Sequence, residues 1–187
     1  MSIEIQHRKK DPVRLYRQML ESAATIAGRD GIASLSLNAV AYEAGVSKGG
    51  LLHHFPNKQA LIFALFARLL AIMEAAISAP MAADKTAYGR FTRAYLHYLS
   101  APELTDTQES RQLMVLSLAM PDEQVLRQCW RDWMLAQGDE LDNGHTGILV
   151  RYAADGIWLS ELTEGRTMST EHRQALVKTL HNMTLPT

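Results

Sequence analysis

Residues 36–61 read SLNAVAYEAGVSKGGLLHHFPNKQAL. Ser36 is placed to cap a short helix, its hydroxyl accepting from a free amide of the first turn. Leu37, Val40, Ala41 and Ala44 then fall on one helical face. Gly45 stops that helix, because glycine enters the left-handed conformation after a helix end without steric cost. Val46 is expected to anchor the turn in the core, and Ser47 to cap a third helix reaching about His54. Gly49 and Gly50 leave the front of that helix without bulk, so its backbone can approach a partner closely. Pro56 closes it, and Asn57 caps a fourth. Together with a helix before them, these elements spell a helix-turn-helix within about residues 36–55.

The surroundings agree. Upstream, Asp11 and Pro12 suit the cap and first position of helix one. Tyr16, Met19, Leu20, Ala23 and Ala27 form its apolar stripe, and Gly31 ends it. Downstream, the fourth helix is expected from about Lys58 to Ser78, closed by Pro80. It is apolar on nearly all sides, which predicts burial on more than one face. Arg68 and Glu74 lie inside the run 60–79, and each is costly in hydrocarbon, so a buried helix is expected there and not a membrane span. Further helices are expected at about 85–100, 107–119, 122–142, 145–163 and 170–183. No stretch alternates as a strand does, so the fold class is all-α, with about nine helices.

Composition sets outer limits. Apolar residues make up 47% of the 187, enough for a core. The single cysteine, Cys129, forms no intrachain disulfide and suits a reducing, cytoplasmic setting. The first ten residues are polar and carry no apolar run of the secretory kind. Residues 1–58 carry eight Lys/Arg against five Asp/Glu, whereas the whole chain carries −1. A basic N-terminal part on an acidic body suits a polyanion at one end, or is chance variation.

Residues 36–61 closely resemble the signature of the TetR family of bacterial regulators, through Ala44-Gly45-Val46-Ser47, Leu51, His53-His54-Phe55, Lys58 and Leu61. The resemblance implies a DNA-binding domain over residues 1–57. A long fourth helix would join it to an effector-binding and dimerisation domain over 58–187. A recognition helix enters the major groove by its front residues. The DNA-contact candidates are therefore Ser47, Lys48, Gly49, Gly50, His53 and His54, with Ser36 and Leu37 at the start of helix two and Lys58 at the start of helix four. Lys9 and Lys10 would serve as a flexible phosphate-neutralising arm, or are a solvated tail. Ser36 and Ser47 either cap only or also contact phosphate. Leu52 departs from the family, which usually carries tyrosine there as a phosphate contact. Gly50 likewise replaces a commoner side-chain donor, so more weight falls on backbone contacts and DNA shape.

For the body, the resemblance implies a homodimer on a palindromic operator. Val150, Ala153, Ala154, Ile157, Leu176 and Leu180 are the candidate dimer contacts, or pack within one chain. A small, mainly apolar effector would be lined by Phe66, Met73, Phe91, Tyr95, Met114, Trp130, Trp133 and Met134, unless these are plain core. Asp155 and Glu161 would attract a cationic effector, or are surface charges. The implied function is a sequence-specific repressor released by its effector. The alternatives are an activator, a ligand-independent regulator and, last, a helical enzyme or carrier. No nucleophile elbow, phosphate loop or metal-ligand pair is present in the sequence, so no catalytic residue, metal or cofactor is expected.

Overall fold

The computed structural model describes residues 11–101, 124–164 and 168–186. The chain divides into two compact units, Met1–Ala67 and Arg68–Thr187. Every regular element among the described residues is helical.

In the first unit, α1 (Pro12–Asp30) starts where Asp11 Oδ1 accepts the amides of Val13 and Arg14 at 3.1 and 3.2 Å. Its apolar stripe, Met19, Leu20, Ala23, Ala24, Ile26 and Ala27, is buried. A single 3-10 turn (Ile32–Ser34) leads to α2 (Leu37–Glu43), which buries Val40 and Ala41. The turn then closes on backbone bonds: Val46 N–H donates to Ala41 O at 2.9 Å while Gly45 sits at φ 63°. The second helix, α3 (Lys48–His54), buries Leu51 and ends on Phe55, which is also buried. Gln18 Nε2 donates to Ala44 O at 2.9 Å, tying α1 to the turn.

The fourth helix, α4 (Lys58–Ala83), starts under Asn57, whose side chain accepts the Ala60 amide at 2.8 Å. Burial follows one stripe, Leu61, Ile62, Leu65, Phe66, Leu69, Met73 and Ile77. The expectation of burial on several faces is corrected: Phe63 is exposed, and Leu70 and Ile72 are half-buried. By length and composition alone α4 is apolar enough to cross a membrane, but this stripe lies inside the protein. Pro80 does not close the helix but sits within its last turn. Proline forfeits its own N–H and crowds the carbonyl four residues back, yet so near the end the turn survives, with Asp84 N–H donating to Pro80 O.

The second unit is built round α5 (Arg90–Ser100), which buries eight of its residues from Phe91 to Leu99. Against it lie α7 (Glu140–Asn143), α8 (His145–Thr163) and α9 (Thr170–Met183). α6 (Gln124–Gln137) comes before them in the chain. Two expected boundaries shift. The helix expected from 85 begins at Arg90, because Asp84 Oδ1 captures the Thr86 amide at 2.8 Å and Gly89 adopts φ 73°. The span 122–142 breaks into α6 and α7, because Asp139 and Asp142 form a reciprocal capping box. The helix expected at 107–119 lies outside the described residues.

The start of α5 has no cap of its own; it is capped from fifty residues away. The Gly89 amide donates to Asp139 Oδ2 at 3.0 Å, and the Thr92 amide to Asp142 Oδ1 at 2.8 Å. Three neighbouring amides, of Asp142, Gly89 and Leu141, outweigh the desolvation that would raise the Asp139 carboxyl and hold it below its ordinary value.

Candidate nucleic-acid interface and aromatic cluster

The front of α3 is open. Ser47, Lys48, Gly49 and His53 are exposed, and no atom outside the adjoining backbone of α3 and the residues next to Gly49 lies within 4 Å of where a Cβ on Gly49 would stand. Ser47 Oγ accepts the Gly50 amide at 3.1 Å, and Ser36 Oγ accepts the Ala39 amide at 3.1 Å. Both serines therefore cap, and each hydroxyl proton remains free to donate outward. The Gly50 amide is committed to that cap, so it is not a free donor to phosphate. Leu37, Gly50, His54 and Lys58 are half-buried.

Two of these have partners within the unit. His54 packs on Tyr16 with ring centroids 5.9 Å apart, and Tyr16 packs on Phe55 at 5.2 Å. Lys58 Nζ donates to Ile32 O at 3.4 Å, which holds its ammonium against the turn before α2. Lys9 and Lys10 lie outside the described residues. The sequence reasoning passed over Tyr42, which is 88% exposed on α2. Its signal was available, since position 42 falls off the Val40, Ala41 and Ala44 stripe.

In the second unit, four of the expected effector residues meet. Tyr95 lies 5.8 Å from Phe91, Phe91 meets Trp133 edge-on at 5.9 Å, and Trp133 stacks on Trp130 at 5.7 Å. Met73 is buried on α4 and Met134 half-buried on α6. Phe66 is buried too, but in the first unit. Met114 lies outside the described residues.

Polar groups that the sequence did not connect run beside the rings. Tyr95 Oη donates to Asp155 Oδ1 at 2.6 Å. Arg151 lies 5.7 Å over the Phe91 ring and donates to the Asp142 carbonyl and to Thr92 Oγ1. Desolvation pushes the Asp155 carboxyl up, against the Tyr95 hydrogen bond and the Arg151 charge. Desolvation and the Asp155 charge push the Tyr95 phenol well up, so it stays a donor.

Of the expected dimer contacts, Val150 and Ala154 are buried within the chain itself. Ala153, Ile157, Leu176 and Leu180 are half-buried. The open side of α8 carries Leu149, Tyr152, Gly156 and Leu159, spaced as one helical stripe.

Comparisons with known proteins follow the same division. Residues 19–65 match the family described as bacterial regulatory proteins, tetR family. Residues 89–185 match the tetracyclin repressor-like C-terminal domain. Among solved structures, a TetR-family transcriptional regulator from Rhodococcus sp. is 21% identical, with a TM-score of 0.70 over 92% of this chain and 100% of that one. A transcriptional regulator from Streptomyces coelicolor A3(2) is 19% identical, with a TM-score of 0.69 over 92% and 99%. The multidrug binding protein EbrR, complexed with ethidium, is 22% identical, with a TM-score of 0.68 over 90% and 97%. At these identities the three share the fold.

Proposed function

The chain belongs to the tetR family of bacterial regulatory proteins, and on that footing we propose that this transcriptional regulator is a repressor, released from its operator by a small, mainly apolar effector. Residues 1–57 hold DNA; residues 58–187 bind effector and a second copy. The observation that carries the DNA half is the bare front of α3, with Ser47, Lys48, Gly49 and His53 all exposed. A helix front without bulk lets the backbone reach the groove, and Lys48 adds a charge for a phosphate or a guanine edge.

Two such heads on a two-fold axis read a palindromic operator, with half-sites one helical turn apart. The exposed stripe Leu149, Tyr152, Gly156 and Leu159, flanked by Ala153 and Ile157, is the surface we assign to the second copy. The ring cluster of Phe91, Tyr95, Trp130 and Trp133 supports the effector half, and the dye held by EbrR fits a wall of that kind. An effector shifts the DNA equilibrium only by binding the released state more tightly, by about 1–3 kcal/mol in typical cases. We place the regulator in the cytoplasm, with its DNA, acting neither as an enzyme nor at a membrane.

Gel shifts on the DNA flanking its own gene test this. Wild-type protein retards a discrete band at low salt. Gly49→Ala, which adds a methyl to an open helix position, stabilises α3 by up to about 1 kcal/mol and yet weakens the band. A folded dimer with no retarded band contradicts the proposal, and undiminished binding by Gly49→Ala contradicts the role given to the bare front.

A further inference from the structure

We propose that Leu52 reads the C5-methyl group of one thymine in each half of the operator. The inference rests on the DNA-binding reading above and names a base that the front of α3 selects.

The two leucines of α3 face opposite ways. Leu51 is fully buried in the core, whereas Leu52 is 38% exposed. Lys48 stands one turn before Leu52 and Gly49 three residues before it, so the three share a side of the helix. His53 completes the outward face. Its ring meets His54 edge-on at 5.4 Å, which draws it away from Leu52, and His54 packs in turn on Tyr16. Leu52 is therefore the large side chain that borders the bare position at Gly49. A lone exposed leucine elsewhere on a surface calls for no explanation. This one lies within the face assigned to DNA, one turn from a lysine, on a helix that carries no carboxylate.

The chemistry of the duplex narrows what such a side chain can recognise. Phosphates and the polar edges of the bases offer a leucine no hydrogen bond, and covering them without one costs free energy. The major groove presents one apolar feature, the C5-methyl of thymine. Packing that methyl against Leu52 takes apolar surface of both out of water. Leucine is short, so it reaches the base edges only where the helix lies close, and the absence of a side chain at Gly49 permits that approach. Lys48 then meets a phosphate or a guanine edge while Leu52 takes the methyl. 5-Methylcytosine carries its methyl at the same place on the ring and would be read likewise.

The test uses the full chain and the DNA flanking its own gene. Footprinting first marks the half-sites. Each thymine in them is then replaced by deoxyuridine, which removes the methyl and keeps every hydrogen-bonding group, and affinity is read by fluorescence anisotropy at fixed salt. One symmetry-related position per half-site is expected to weaken binding about fourfold, the scale of one buried methyl group, and about fifteenfold when both halves are changed. Leu52→Ala keeps a good helix former at an exposed position. It is expected to bind the native operator more weakly and to lose the sensitivity at that position alone, which a double-mutant cycle reads. With 5-methylcytosine opposite guanine at the sensitive position, wild type should bind better than with plain cytosine, and Leu52→Ala should not. The scan on wild type stands whether or not the variant folds. A scan with no sensitive position overturns the proposal and places Leu52 against a sugar. A sensitivity that survives in folded Leu52→Ala also overturns it and gives the methyl to another contact. A folded dimer that retards no DNA sinks the DNA-binding reading and this one with it, whereas retardation without methyl dependence sinks only this inference.

Discussion

Replacing Phe55 by alanine is expected to cost the first unit about 3–5 kcal/mol, the usual toll for emptying a buried phenylalanine site. Phe55 is buried, ends α3 by donating its backbone N–H to Leu51 O at 2.8 Å, and packs on the Tyr16 ring. It therefore fixes the end of the recognition helix against α1. A loss of that size is a large share of the stability of a small domain, so operator binding should fall with it. Urea unfolding followed by circular dichroism, beside a gel shift at the same temperature, reads both effects. A change under about 1 kcal/mol would mean that the unit repacks round the gap and that Phe55 is not its keystone.

Arg93→Met is expected to have the second largest effect, about 3 kcal/mol, at the lower edge of what breaking a buried ion pair costs. The Arg93 side chain is 5% exposed and donates to Asp84 Oδ2 at 2.6 Å. It also donates to Thr184 O at 2.8 Å and to Thr86 O, so it ties the segment after α4 and the end of α9 to α5. Methionine keeps the stem's volume but takes the Arg93 donors from both carbonyls and from Asp84 Oδ2, leaving that carboxylate only the Thr86 amide on Oδ1. Asp84 is 23% exposed and recovers some hydration, which is why the lower edge is expected.

The pH dependence has a definite sign. The Arg93 hydrogen bond, against some desolvation, holds the Asp84 carboxyl below its ordinary value. A lowered carboxylate stabilises above its unfolded pKa and loses that contribution as pH falls through its folded one. The gap between wild type and Arg93→Met should thus be full at neutral pH and shrink below the ordinary carboxylate range. Urea midpoints at neutral and acid pH check it; a gap that does not shrink places the effect in the carbonyl contacts and not in the ion pair.

The helix-turn-helix was legible because its signals are local. Ser36, Gly45, Ser47 and Asn57 each act within about five residues of themselves, so spacing alone reveals their work. The second unit hid what depends on distant partners. Asp139 and Asp142 cap a helix fifty residues away, and their own capping box was missed because aspartate fills the place where glutamate is the usual cue. Small residues on α8 suit close packing of either kind. Sequence alone did not settle that Val150 and Ala154 turn inward while Leu149 and Tyr152 turn out. Asp155 read equally as surface charge or ligand partner until its bond to Tyr95 placed it beside the rings. Pro80 misled because a helix survives a proline so near its end, and the sequence does not show which turn is last.

The central claim is that the front of α3 grips DNA, and the salt dependence of operator affinity for wild type and Lys48→Ala tests it most directly. Lys48 is exposed at the first position of α3. If it neutralises a phosphate, Lys48→Ala binds more weakly at low salt, and the slope of log affinity against log salt flattens by about 0.9 for each phosphate left without its cation. A folded variant whose affinity and slope both equal the wild type's would contradict the account.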